Sequence, residues 1–137
     1  MQQLSIFAEN KKGTMNSITQ ILADAGINMN TLITNDSAEF GIVRMLVSDA
    51  DAAASALKAS GYMCKVDDVL AVEIRDEAGS LNALLAILTR GNLNLDYIYV
   101  TYSSFSKRPV AIIHVGDLAE VADLLEGKGY SIISAIA

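Results

Sequence analysis

Two loops 66 residues apart carry groups that can hold a small charged molecule. The first reads Glu9-Asn10-Lys11-Lys12-Gly13-Thr14-Met15, the second Arg75-Asp76-Glu77-Ala78-Gly79-Ser80-Leu81. Glycine lets a backbone approach a ligand closely, and a helix that starts beside it presents N–H groups with no intrahelical acceptor. Such an N-terminus favours a carboxylate or a phosphate. Lys11 and Lys12 add positive charge to the first loop. Asp76 and Glu77 oppose an anion in the second, and suit an ammonium group or simply complement the helix dipole. Each loop alone also fits an ordinary strand-to-helix turn. Asn28 and Asn94 follow at matching positions downstream. A side-chain amide both donates and accepts, so it can hold either end of a zwitterion. The ordinary alternative is an asparagine that serves a turn.

Residues suited to covalent or acid–base chemistry are few. His114 is the only histidine and lies in the apolar run Val110-Ala111-Ile112-Ile113-His114-Val115, with no evident Ser or Cys partner. A general base needs a positioned nucleophile or substrate proton, so His114 reads as structural or interfacial. Cys64 is the only cysteine, which excludes an intrachain disulfide and a thiolate-rich zinc site. Lys65 beside it could lower its pKa, but with no partner residue Cys64 reads as a plain thiol. Asp67-Asp68 and Asp76-Glu77 contain enough carboxylates for a divalent metal, but they flank one strand at its opposite ends. Neither a metal nor a cofactor is expected. Tyr97, Tyr99 and Tyr102 could line a pocket, or cover a sheet face or an oligomer interface.

The elements that must position these loops come from an internal repeat. Residues 13–28 and 79–94 share Gly13/Gly79, Asn16/Asn82, Ile21/Ile87, Leu22/Leu88 and Asn28/Asn94. Residues 47–62 and 115–130 share Val47/Val115, Asp49/Asp117, Ala54/Ala122, Leu57/Leu125, Gly61/Gly129 and Tyr62/Tyr130. The offset grows from 66 to 68, placing two extra residues of the second copy between roughly 100 and 110. Two units are expected, 1–68 and 69–137.

Each copy opens with an alternating strand, Leu4, Ile6 and Ala8 or Leu70, Val72 and Ile74. Met15, Ile18, Ile21, Leu22 and Ala25 then recur at helical spacing, as do Leu81, Leu84, Leu85 and Leu88. The helices end at Ala25-Gly26 and Gly91-Asn92. Two strands follow, turning at Asp36-Ser37-Ala38-Glu39 and at Ser104–Arg108. A second helix starts near Asp49 or Asp117, and Asp117 with Glu120 resembles a capping box. A last strand starts at Tyr62 or Tyr130. The order βαββαβ, twice, predicts an α+β protein of two ferredoxin-like units, antiparallel sheets with both helices on one face.

Composition limits the partners. Ten Lys and Arg face sixteen Asp and Glu, a net charge of −6, in a chain of 137 residues that is 52% hydrophobic. The bases are scattered, with Lys11-Lys12 and Lys107-Arg108 the only adjacent pairs. This argues against nucleic acid and against a basic membrane-surface helix. No apolar run reaches the roughly 18 residues that span a membrane. The opening residues lack a basic stretch followed by a long apolar one, so no secretory leader is expected and the cytoplasm is the expected compartment.

The segments ENKKGTMNSITQILADAGIN and RDEAGSLNALLAILTRGNLN, each set in the full element order, resemble the ACT domain. The resemblance covers essentially the whole chain, twice, and is similar to free-standing tandem ACT proteins. It implies amino-acid binding at an interface between ACT domains, in a regulatory, allosteric and non-catalytic protein. Carried over residue by residue, it implies ligand contacts at Asn10, Lys11, Lys12, Gly13, Thr14 and Met15. The second-copy counterparts are Asp76, Glu77, Ala78, Gly79, Ser80 and Leu81. It also implies Asn28 and Asn94 from the neighbouring domain. Many ACT loops carry proline directly before the glycine; here Lys12 and Ala78 stand there, so the loop is less preorganised. A homodimer and an enzyme of amino-acid metabolism are the implied partners. The alternative is a scaffolding subunit that binds such an enzyme through its sheet face or edge with no ligand of its own.

Overall fold

The computed structural model describes residues 1–35 and 40–137; the turn expected at Asp36-Ser37-Ala38-Glu39 lies outside the described residues. The first copy runs β1 (Gln2–Glu9), α1 (Thr14–Asp24), β2 (Met29–Asn35), β3 (Phe40–Val47), α2 (Ala50–Ala59) and β4 (Met63–Asp68). The second runs β5 (Leu70–Glu73), α3 (Ser80–Arg90), β6 (Leu95–Tyr102), β7 (Pro109–Val115), α4 (Leu118–Gly127) and β8 (Ile132–Ile133). The sheets are ordered β2-β3-β1-β4 and β6-β7-β5-β8. These are two four-stranded antiparallel sheets in the expected ferredoxin-like order. The chain divides into two units, Gln2–Asp67 and Met1 with Asp68–Ala137.

The repeat extends to irregularities. The β2–β3 ladder shifts register between Met29 and Thr31, and the β6–β7 ladder shifts between Leu95 and Tyr97, 66 residues on. A bulge in the same place twice argues that it is part of the unit's design. Helix starts match as well. Asp49 accepts from the Ala52 N–H at 3.0 Å, and Asp117 from the Glu120 N–H at 3.0 Å. Each satisfies one N–H that the helix leaves without an acceptor. The left-handed residues that end α1 and α3 are Gly26 (φ 69°) and Asn92 (φ 54°).

Alternation in the strands and helical spacing bury one face of each element. Leu4, Ile6, Val43 and Met45 of the first sheet meet Ile18 and Leu22 of α1 and Ala53, Ala54 and Leu57 of α2. Leu70, Val72, Ala111 and Ile113 meet Leu84, Leu88, Val121 and Leu125 in the second unit. A fully buried leucine contributes roughly 1.5–3 kcal/mol, so these side chains carry much of each unit's stability.

The second helices differ. α2 is rich in alanine, and Ala50, Ala53 and Ala56 stand where α4 has Leu118, Val121 and Leu124. Small side chains let backbones approach, and α1 and α2 pack closely, whereas α3 and α4 stand further apart. β8 is also shorter than its counterpart: the strand expected from Tyr130 pairs only Ile132 and Ile133 with Val72 and Ala71. Its partner β5 offers only four residues before the chain turns away. Among the described residues no helix is long and apolar enough to cross a membrane.

Candidate ligand-binding site

The Gly13 and Gly79 loops are built alike. Gly13 has φ 88° and ψ −8°, Gly79 φ 88° and ψ −7°, and neither helix start has a side-chain cap. This left-handed geometry suits glycine and costs other residues about 1–2 kcal/mol. The uncapped first turns leave N–H groups that can donate to an anionic or carbonyl oxygen. A turn precedes each helix, with the Thr14 N–H donating to the Lys11 carbonyl at 3.3 Å and the Ser80 N–H to the Glu77 carbonyl at 3.3 Å.

In the first unit this loop borders a cavity of about 300 Å³. Asn10, Lys11, Thr14 and Met15 line it, together with Ala8, Glu9, Thr34, Gly41 and Val43 from the strand ends. The Thr14 hydroxyl oxygen is buried and has no hydrogen-bond partner among the described residues. A buried hydroxyl without a partner costs free energy that a bound ligand recovers. Lys11 pairs with Glu9 at 3.0 Å, both exposed, so the loop's charge is partly neutralised. Met15 also packs on the core, which ties the cavity wall to the fold. Lys12 and Gly13 are exposed and lie outside this lining.

Asn28 does not join that cavity. Its N–H donates to the Ser48 hydroxyl at 3.0 Å, and its Nδ2 donates to Asn30 Oδ1 at 2.9 Å. Asn94 is exposed.

The second loop has different surroundings. Glu77, Ala78, Gly79 and Ser80 line a cavity of about 620 Å³. Arg75 meets Glu77 at 3.8 Å. Asp76 is exposed, and Leu81 packs against the core.

Two further groups lie outside these loops. Cys64 is buried, and its thiol donates to the Ala54 carbonyl at 3.5 Å. Burial pushes its pKa up, and the Lys58 ammonium opposes this only in part. This fits a plain thiol: desolvation disfavours the thiolate, and Lys65 is engaged with Asp67 at 3.0 Å. His114 Nδ1 lies 2.8 Å from Asp96 Oδ2, and its ring stacks on Tyr97 with centroids 4.8 Å apart. The signal for this trio was the strand pairing: Tyr97 sits opposite His114 once β6 and β7 are in register. Tyr99 is buried, while the exposed Tyr102 donates to the Lys107 carbonyl at 2.6 Å. Among the described residues no group of three His, Cys, Asp or Glu is placed to hold a metal ion.

Comparison with known proteins follows from this geometry. The family model of the ACT domain pair matches residues 1–120. Protein BT0572 from Bacteroides thetaiotaomicron is 30% identical, with a TM-score of 0.88 over 96% of this chain and 90% of that one. The regulatory subunit of aspartate kinase from Thermus thermophilus, in its ligand-free form, is 14% identical, with a TM-score of 0.66 over 92% of this chain and 91% of that one. Aspartate kinase from Synechocystis is 14% identical, with a TM-score of 0.62; the match covers 93% of this chain but 24% of that enzyme. No curated protein matches the chain.

Proposed function

The chain belongs to the ACT domain pair family, and from that premise we propose that it is a non-catalytic regulatory protein that binds a free amino acid. The observation that supports this most is the cavity beside Asn10, Lys11, Thr14 and Met15, with an unpartnered Thr14 hydroxyl and an uncapped helix start. A carboxylate meets the first-turn N–H groups of α1, and the polar loop side chains meet the ammonium end. Asn28 and Asn94, each acting on a neighbouring ACT domain, are part of the proposal. So are a homodimer, in the cytoplasm, and a partner enzyme of amino-acid metabolism. Neighbours of this fold named as regulatory subunits of aspartate kinase support the last point. Binding energy shared by two domains biases their arrangement, and the partner reads that bias. The Asp76 loop either binds differently or serves the interface.

The test is a thermal-shift screen of the protein against the twenty amino acids, followed by calorimetry. A ligand that binds only the native state, at about 100 times its dissociation constant, adds roughly 2.7 kcal/mol. The expected result is a raised midpoint with one or a few amino acids, lost in Asn10→Ala and Gly13→Val and kept in Gly61→Val. Both glycine variants cost about 1–2 kcal/mol of stability, because nothing within 4 Å would meet the new Cβ and only the backbone is strained. Gly61→Val, at a left-handed glycine outside both cavities, is thus a control for strain alone. A flat response to all twenty at millimolar concentration overturns the reading and leaves the scaffolding subunit.

A further inference from the structure

The 620 Å³ cavity of the second unit carries charges unlike anything in the first. It lies where α3 faces the chain leaving α4 and the start of β7. Arg75, Arg90, Arg108 and Lys128 line it, against two carboxylates, Glu73 and Glu77. That leaves two net positive charges around one cavity, in a chain of net charge −6. Among the described residues Arg75 forms an ion pair with Glu77 alone, at 3.8 Å, and Arg90, Arg108 and Lys128 pair with no carboxylate. Cations around one cavity that outnumber their counter-charges repel one another, and an anion placed among them lowers that cost.

The repeat serves as an internal control. At the equivalent positions the first unit has Glu9, Asp24, Phe40 and Ser60. The shared fold therefore does not require cations at any of the four. The space differs too. In the first unit Tyr62 donates to the Ser17 hydroxyl at 2.9 Å, tying α1 to the chain that leaves α2. In the second, Ala83 replaces that serine and lines the cavity with Tyr130, so no such tie can form.

We propose that this cavity is a second ligand site, distinct from the one beside Asn10 though it borders the second-copy loop at Glu77 to Ser80, and that it takes a small polyanion with two or more negative charges; this assigns that loop a ligand other than the amino acid. Guanidinium groups bind carboxylate and phosphate oxygens with paired N–H donors, so polycarboxylates and phosphorylated compounds share the required chemistry. Pyrophosphate and citrate are the probes.

The experiment is calorimetric titration of the full chain at low ionic strength with pyrophosphate, citrate and glycine. Saturable binding of pyrophosphate or citrate, weakened by added sodium chloride, with glycine showing none at this site, is the expected result. Pyrophosphate alone points to a phosphorylated ligand, and citrate alone to a polycarboxylate. Arg90→Gln and Lys128→Gln change exposed side chains and should each weaken the interaction about tenfold, the loss of one hydrogen bond between charged groups. Circular dichroism checks that both variants fold. Both should keep any thermal shift given by an amino acid, so this proposal and the amino-acid reading can fail separately. No saturable binding of either probe at millimolar concentration overturns it. So does binding that both variants leave unchanged.

Discussion

The two units share a fold, an uncapped glycine helix start and an aspartate cap on the second helix, yet they differ in what surrounds the first helix. In the first unit alanines draw α2 close to α1, a Tyr62–Ser17 hydrogen bond ties the outer side, and the smaller cavity lies elsewhere, between the Asn10 loop and the strand ends. In the second, leucine and valine hold α4 further from α3, the tie is absent, and a larger cavity is lined with cations. The framework residues thus match between copies, while the residues around α1 and α3 do not. Duplication supplies a spare scaffold, and divergence of a few exposed positions on it is enough to make a second kind of site.

The strongest test of equal frameworks is in the cores. Leu57 and Leu125 occupy equivalent positions and are both fully buried. Truncating either to alanine should cost about 2–5 kcal/mol, read from chemical denaturation. Similar costs are expected, since each leucine lies under its helix against the same sheet strands. A difference larger than about 2 kcal/mol would mean that the wider helix spacing also loosens the second core, and the units would differ in packing as well as in surface.

The helix spacing has its own test. Ala53 is fully buried beneath α2, and Val121 is its counterpart in α4. Ala53→Val inserts two methyl groups where the helices already meet closely, and should cost about 1–3 kcal/mol by overpacking. A neutral result would show that α2 can move out to the α4 distance at no cost, and that side-chain size is not what sets the spacing.

Much of this was legible in the sequence, for reasons that local physics explains. Periodicity placed α1 and α3, and Asp49 and Asp117 marked the starts of α2 and α4, because capping acts over three residues. The offset between copies placed the loops. The Asn10 loop was marked by residue type, and Asn10, Lys11, Thr14 and Met15 do border one cavity. What was not legible depended on pairing over long separations. Arg75, Arg90, Arg108 and Lys128 looked scattered because 15 to 20 residues separate each from the next. They line one cavity because β5 and β7 bring Arg75 and Arg108 to the same sheet end, while the chain leaving α4 places Lys128 beside α3, whose last residue is Arg90. The Asp96–His114 contact likewise needed the β6–β7 register, and the character of Cys64 needed its burial, which outweighs the adjacent lysine in sequence.

The smallest expected effect on stability is also the one that bears most directly on the second cavity. Ser17→Ala removes an exposed hydrogen bond with Tyr62 that is worth about 0.5–1.5 kcal/mol. It also gains helix propensity of up to about 0.7 kcal/mol, since alanine is the better helix former. The net loss should be under about 1 kcal/mol, and Ala83→Ser should change stability by a similarly small amount in the opposite sense. Binding is the more informative readout. If the missing tie is what keeps the second cavity open, Ala83→Ser gives Tyr130 a hydroxyl to bond and should weaken pyrophosphate binding while leaving stability nearly unchanged. If affinity is untouched, the cavity owes its room to the spacing of α3 and α4 alone, and Val121→Ala, which lets α4 approach, becomes the variant that should close it.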